Sequence, residues 1–330
     1  MKTGSFPWSL LHPRHWLLWL VGVPLLALLG WLPWGLQRRI GTGIGVLAWR
    51  LARQRRNDTE TNIRLCFPEL DAPAQAALVR ETFINGGIGL LETAAAWFRP
   101  MSYYRSRVTI TGLEHLETAR SRGRGVLLLG AHYCFLDLCG LLGKLHFPVD
   151  TVYRPQNNPA LEWLVRRLRR RVYDYQIDHD NMRLLIRALK ENHVVWYTPD
   201  QDFGLKQGVF APFFGQKAAT LTSPRRIARI NDSPVLMIHF RRLGNEERYE
   251  ILITPPLDHY PTEDAVADAT RVNAELERLI RRAPGQYMWF HRRFKTRPPG
   301  EKPPYIKKKR EIREAAALAR EQERASGGRP

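Results

Sequence analysis

The stretch Gly125-Val126-Leu127-Leu128-Leu129-Gly130-Ala131-His132-Tyr133-Cys134-Phe135-Leu136-Asp137 decides the fold. Its first six residues read as a buried strand of a parallel or mixed sheet, and Phe135 to Leu145 as the helix that follows. His132 therefore lies in the connecting turn, where Gly130 and Ala131 leave room for it. Two groups five apart on one continuous helix diverge by ~140°, so His132 and Asp137 can meet only if His132 precedes the helix. That layout suits a general base and its orienting acid: neutral imidazole takes a hydroxyl proton while the carboxylate fixes the ring tautomer. The chemistry it supports is acyl transfer to an alcohol without a serine or cysteine nucleophile. An isolated H-x4-D is more often an ordinary satisfied turn, so the rest of the chain must decide.

Outward from this stretch, short apolar runs alternate with helical patterns. Strands are expected at Val108 to Thr111, Val126 to Leu129, Thr151 to Tyr153, Val194 to Thr198, Val235 to Phe240 and Tyr249 to Thr254. The alternation predicts an α/β fold, a mostly parallel or mixed sheet with helices on both faces. Ligands of such sheets gather beyond the strand C-terminal ends. His132 follows one such end and Asp200 another, so the two are expected to be near each other. Ala72 to Phe98 reads as a helical platform, closed by Pro100, with Gly86-Gly87 as a break. Asn158-Pro159 starts a helix running to about Arg171. With Leu161 as zero, Arg169 falls at about 80°, next to Val165 at about 40°, and so borders a cleft. Arg166, Arg167 and Arg170 face solvent or headgroups. Thr262 caps a further helix, with Glu263 and Asp264 in its first turn, ending at Pro284-Gly285.

Near the N-terminus, Trp16 to Trp34 is a run of 19 residues without a charge. As a helix it spans about 28 Å against a hydrocarbon core of about 30 Å. Gly22, Pro24, Gly30 and Pro33 make a kinked or shallowly inserted helix an alternative to a straight span. Trp16, Trp19, Trp31 and Trp34 sit near its ends as interfacial anchors do. Lys2 and Arg14 precede the run, whereas Arg38, Arg39, Arg50, Arg53, Arg55 and Arg56 follow it, which places the body of the protein in the cytoplasm. No acid occurs before Asp58, so this collar also suits anionic headgroups.

The 330 residues, 44% hydrophobic, can bury a sizeable core, and the net charge of +19 asks for an anionic partner. The membrane segment and the lack of a recognisable nucleic-acid module argue against nucleic acid. Cys66, Cys134 and Cys139 form neither a metal pattern nor an even disulfide set, which fits a reducing compartment. Cys134 beside His132 reads as a packed thiol in preference to a nucleophile. Asp200-Gln201-Asp202 matches the D-x-D by which sugar-nucleotide transferases hold a metal, but no phosphate-cradling glycine loop accompanies it, and no metal or cofactor is expected.

These residues resemble the late acyltransferases of lipid A biosynthesis, the lauroyl-type enzymes that act after the Kdo sugars are attached. Besides His132 to Asp137, the resemblance is carried by Asn62-Ile63-Arg64-Leu65-Cys66-Phe67-Pro68-Glu69, Tyr153-Arg154-Pro155 with Asn158-Pro159, and Val194-Val195-Trp196-Tyr197-Thr198-Pro199-Asp200. It continues through Val209-Phe210-Ala211-Pro212-Phe213-Phe214-Gly215, Ala218-Ala219-Thr220 and Gln286-Tyr287-Met288-Trp289-Phe290-His291-Arg292-Arg293-Phe294-Lys295-Thr296-Arg297-Pro298. It implies a glycerolipid-acyltransferase-like fold and transfer of a fatty acyl chain from acyl carrier protein to a 3-hydroxyacyl chain of a Kdo-lipid A precursor. His132 is then the base and Asp137 its partner, the aspartate standing where family members also carry glutamate. Arg169 and Asp200 match positions needed for activity, Arg169 to bind phosphate or steady an oxyanion, Asp200 to hold Arg169 or the acceptor. Tyr153, Arg154, Phe210, Phe213 and Thr220 are the substrate-binding candidates, with Phe214, Leu141 and Leu142 as further groove walls. The mixed aromatic and basic Trp289 to Phe294 suits a headgroup-binding edge or a buried closing turn.

The expected organisation is a flank at 1–14 and a membrane anchor helix at 15–36. A basic collar and helical platform follow at 37–105, the α/β acyltransferase domain at 106–298 and a basic charged tail at 299–330. The expected location is the bacterial inner membrane, with the catalytic domain on the cytoplasmic face. A glycerolipid acyltransferase sharing the H-x4-D pair and a non-enzymatic anionic-lipid-binding membrane protein are the alternatives.

Overall fold

The computed structural model of the chain describes residues 7–302 and 304–305. Lys2 and the tail features Lys307-Lys308-Lys309-Arg310 and the alanine-rich run to Arg324 lie outside them.

Four helices come first. Pro13–Trp31 is a helical run of 19 residues with mean hydropathy 1.3 and only 11% burial, exposing Leu17, Leu20, Leu25, Leu28 and Trp31. Within it Leu17–Gly22 widens to a π-helix just before Pro24, and α1 continues as Val23–Trp31. Proline lacks the N–H and crowds the carbonyl four residues back, so the wider turn relieves the ladder without breaking it. The chain does break at Leu32-Pro33, where Gln37 Nε2 and Arg99 Nε donate to the Gly30 carbonyl at 3.0 and 2.7 Å and satisfy the end of α1. Helices α2 (Trp34–Leu51), α3 (Arg53–Cys66) and α4 (Ala72–Phe98) follow. Gly86-Gly87 is no break. A Cβ on Gly87 would lie 2.1 Å from the Gly41 carbonyl, and one on Gly89 2.0 Å from the Cys134 carbonyl, so α4 touches α2 and the His132 turn backbone to backbone.

The remaining chain builds β1 (Val108–Thr111), α5 (Leu113–Arg120), β2 (Val126–Leu129), α6 (Leu136–Lys144), β3 (Asp150–Tyr153) and α7 (Pro159–Arg169). It continues with β4 (Gln176–Asp178), α8 (Met182–Lys190), β5 (Val194–Tyr197), β6 (Gly208–Phe213) and β7 (Gln216–Leu221). It ends with α9 (Ser223–Asn231), β8 (Val235–Arg242), β9 (Tyr249–Ile253) and α10 (Ala265–Ile280). The main sheet has seven strands in the order β1-β9-β8-β2-β5-β3-β4. Strands β8, β2, β5, β3 and β4 are parallel, and β9 turns back antiparallel on β8 with β1 parallel to it. Right-handed crossovers put α6 and α7, which pack with α4, on one face and α8 and α9, which pack with each other, on the opposite one. Every residue of β2 is fully buried, as its unbroken apolar run requires.

The six expected strands are present within two residues at each end, and two features add to them. One is the short edge strand β4. The other is the separate hairpin β6–β7, closed by Phe214 and Gly215 at φ 48° and 71°, a two-residue turn of the type that matches strand twist. Phe214 pays for its left-handed backbone by packing on Phe67, Phe213 and Trp289. The cap of α10 is Asp264 and not Thr262: Asp264 accepts from Val266 N and Ala267 N, while Thr262 is tied to Asp268.

Candidate active site

His132 sits in the turn between β2 and α6, at the C-terminal end of the central strand. From here the chain builds outward in both directions, β3 on one side and β8 on the other. Of the two strands beside β2, one is β5, and three residues beyond β5 comes Asp200. His132 Nδ1 and Asp200 Oδ1 are 2.7 Å apart, and the His132 backbone N–H donates to Asp200 Oδ2 at 3.0 Å. Asp200 is therefore the carboxylate that orients the ring. Asp137, expected in that role, lies in the first turn of α6 and accepts from Arg169 Nε at 2.6 Å instead. The physical reason is direction: the imidazole reaches across to the adjacent strand end, whereas the first turn of α6 faces the last turn of α7. Of the two roles left open for Asp200, holding Arg169 is not the one seen: Arg169 is bound by Asp137 and Asp200 by His132.

Electrostatics fix the roles within the first pair. Burial acts to raise the Asp200 carboxyl, but the His132 ring, its backbone N–H and the Tyr287 hydroxyl outweigh it and hold it down at about 2. An ionised carboxylate can only accept, so His132 Nδ1 carries a proton, and in the neutral ring the lone pair is then on Nε2. Nε2 lies 3.4 Å from Thr198 Oγ1. A cavity of about 190 Å³ opens beside it, lined by His132, Asp137, Arg169, Tyr153, Arg154, Thr198 and neighbours. That volume admits reacting groups but not two acyl chains, since pockets enclosing whole ligands start near 300 Å³. For Arg169, burial works against the charge, but Asp137 more than compensates, so the guanidinium is a fixed cation on the cavity wall.

Of the substrate-binding candidates, Tyr153 and Arg154 line this cavity and the others do not. Tyr153 donates its hydroxyl to Glu162, which also accepts from Gln156 N and Arg166, so one carboxylate in the first turn of α7 fixes the loop. Arg154 is exposed at the rim. Phe213 is fully buried against Phe214 and Phe294, and Thr220 is buried against Asn273 and Arg293. Both hold the hairpin onto the body, and Phe210 is half-buried on β6. Leu141 and Leu142 are core, with no exposed surface to offer a groove. The segment from Trp289 is a buried closing turn: Trp289 packs on Phe67 and Phe214, Arg292 pairs with Asp58, and Arg293 donates to the Ala219 carbonyl.

Burial pushes the Cys134 thiol up to about 12, which leaves it a packed thiol. The D-x-D carboxylates are filled by protein donors: Asp200 as above, Asp202 by Thr296 N and Oγ1 and by Gly204 N. That occupancy leaves them poorly suited to a metal. Two groups near His132 were not anticipated as part of the site. One is Tyr287, and the other is His291, whose ring is 6.0 Å from that of His132. The run Gln286 to Pro298 signalled them, but nothing in a linear reading tells which of its residues turn inward.

The family model for bacterial lipid A biosynthesis acyltransferases matches residues 4–296. The chain is 38% identical to the lipid A biosynthesis palmitoleoyltransferase of Escherichia coli strain K12 over 92% of its own length and 98% of the relative's. It is equally 38% identical to the lauroyltransferase of the same organism, over 90% and 97%. A lipid A biosynthesis acyltransferase of Haemophilus influenzae is 33% identical over 92% and 97%. Family model and relatives, each spanning most of the chain, agree, and the chain belongs to the bacterial lipid A biosynthesis acyltransferases.

Proposed function

We propose that the protein moves a fatty acyl chain from acyl carrier protein onto a 3-hydroxyl of an acyl chain already present on a Kdo-lipid A precursor, forming an acyloxyacyl ester. The observation that carries the mechanism is the 2.7 Å contact of His132 Nδ1 with buried, ionised Asp200, which aims the Nε2 lone pair outward. His132 Nε2 takes the hydroxyl proton as the oxygen attacks the thioester carbonyl. Asp200 steadies the imidazolium that forms, and Arg169, held by Asp137, faces the negative charge that grows on the carbonyl oxygen. The tetrahedral intermediate collapses to the ester, and the carrier's thiolate leaves with the proton from His132. Arg154 at the rim is suited to an acceptor phosphate.

The location proposed is the cytoplasmic face of the inner membrane, supported by the exposed apolar run Pro13–Trp31 and the arginines that follow it. The basic surface favours an acceptor bearing phosphates and carboxylates and an acidic carrier. Relatives named for lauroyl and palmitoleoyl transfer are equally similar, so the chain transferred is left to experiment.

The test supplies purified protein with acyl carrier protein thioester and either Kdo-lipid A precursor or glycerol 3-phosphate. Acylation of the first alone is expected. Acylation of the second alone would overturn the acceptor, and no turnover of either would restore the lipid-binding alternative.

A further inference from the structure

We infer that Thr198 is a catalytic residue that holds the acceptor hydroxyl at His132, a role that rests on the reading of His132 as the base. Thr198 stands one residue past β5 and one before Pro199. Alternation along the strand turns Tyr197 to the opposite face, where its hydroxyl meets Ser223 Oγ at 2.8 Å. The same alternation brings Trp196 and Thr198 to the cavity beside His132. There Thr198 Oγ1 lies 3.4 Å from His132 Nε2, the ring nitrogen that Asp200 leaves open. With the proton on Nδ1, Nε2 accepts and the threonine hydroxyl donates.

Other threonines of the chain use their hydroxyls differently: Thr59, Thr82 and Thr270 each donate to the carbonyl four residues back. Among the described residues the Thr198 hydroxyl has no partner besides the imidazole, and the residue is only half-buried, so a substrate oxygen can reach it. At 3.4 Å the bond is longer than an ordinary one, and an incoming hydroxyl displaces it at little cost. An oxygen bonded to both groups at tetrahedral angles needs them about 4.5 Å apart, an opening that rotation of the threonine side chain supplies. The acceptor oxygen then points its proton at Nε2, takes the Thr198 O–H on one lone pair and keeps the other for the thioester carbon. Its bond to that carbon forms as its O–H bond breaks. The proton passes to His132 and later to the leaving thiolate, and Thr198 keeps its own proton throughout.

The experiment compares wild type, Thr198→Val, Thr198→Ala, Thr198→Ser and His132→Ala in detergent, with acyl carrier protein thioester and whichever of Kdo-lipid A precursor or glycerol 3-phosphate the wild type acylates. No turnover by wild type with either acceptor overturns this role together with the proposed function. Thr198→Val keeps the volume and removes the hydroxyl. Its kcat is expected to fall about thirtyfold with the KM for the thioester changed less than about twofold, a smaller loss than removing a donor to full negative charge. Thr198→Ala falls alike without a methyl group to crowd Nε2, whereas Thr198→Ser stays within about threefold of wild type because the hydroxyl is restored. Wild-type kcat in the valine and alanine variants, a serine variant as slow as they are, or losses of kcat that track losses of Tm overturn the role. So does an acyl group found on position 198 by mass spectrometry after incubation with thioester alone, which would make the threonine a nucleophile. If His132→Ala stays active, the base assignment itself falls; if it is inactive while the valine and alanine variants match wild type, only the threonine's role is lost.

Discussion

Strand β5 separates two histidine–aspartate pairs of nearly equal length and opposite character. Beyond its C-terminal end Asp200 meets His132 at 2.7 Å, and at its N-terminal end His193 meets Asp150 at 2.8 Å. Both carboxylates are buried. Yet Asp200 is held down at about 2, whereas burial raises Asp150 above its ordinary value despite bonds from His193 and Tyr175 N. At Asp200 the His132 charge and the bonds around the carboxylate outweigh burial, and at Asp150 they do not. The cavity beside the second pair is also the larger, about 240 Å³ against about 190 Å³. Its walls there, Asp150, Asp174 and Glu191 with Arg120, are the N-terminal ends of strands and helix ends, where α/β sheets do not usually place chemistry. A histidine beside an aspartate is therefore no signature by itself; the donors around the carboxylate decide what it can do.

The sharpest way to break this contrast is to remove each imidazole. His132→Ala should lower kcat/KM by about a thousandfold or more, within the span general-base catalysis supplies, whereas His193→Ala should leave it within about twofold. Equal losses would erase the distinction. The carboxylates come next: Asp200→Asn should cost about a hundredfold or more through the wrong ring tautomer, and Asp150→Asn should leave turnover intact. Arg169→Ala and Asp137→Asn should fall together, each by about a hundredfold, because one group aims the other. A large loss in only one of them would separate the pair.

Stability against acid supplies the smallest and most diagnostic difference. A carboxyl whose folded pKa is lowered contributes stability that is present above its ordinary value and fades as pH falls through the folded one. The deficit of Asp200→Asn relative to wild type should therefore shrink between pH 3.8 and about 2. Asp150 has the opposite sign: its raised pKa gives a contribution that is full below pH 3.8 and lost as pH rises through the folded value. The deficit of Asp150→Asn should thus grow on acidification. Thermal unfolding of both variants between pH 2 and 6 reads the two slopes, and slopes of the same sign would contradict the assignment.

What the linear chain discloses follows the range of the forces involved. Helix α4 spans Ala72–Phe98 as read, and Asn158 caps α7 through Ala160 N and Leu161 N, because pattern and cap are local. The nearness of His132 and Asp200 was legible from the rule about strand ends. That Asp200 and not Asp137 takes the ring was not, because it depends on β5 being inserted beside β2, a pairing between residues about seventy positions apart. Hairpin β6–β7 hid behind a family motif, since its turn is Phe214-Gly215 and lacks the usual asparagine. Gly86-Gly87 looked like a break because a glycine's backbone freedom shows in sequence, whereas its value as a contact surface appears only once α2 lies against it.

Those glycines govern more than packing. Through Gly87 and Gly89, α4 meets α2, the helix that follows the apolar run, and the loop carrying the imidazole, with no side chain between them to flex. Under the proposed function the protein is then a strut and not a leash: the catalytic nitrogen stands at one fixed height relative to the bilayer. Lipid must drift sideways to it, and whichever hydroxyl rides at that level is the one that can react.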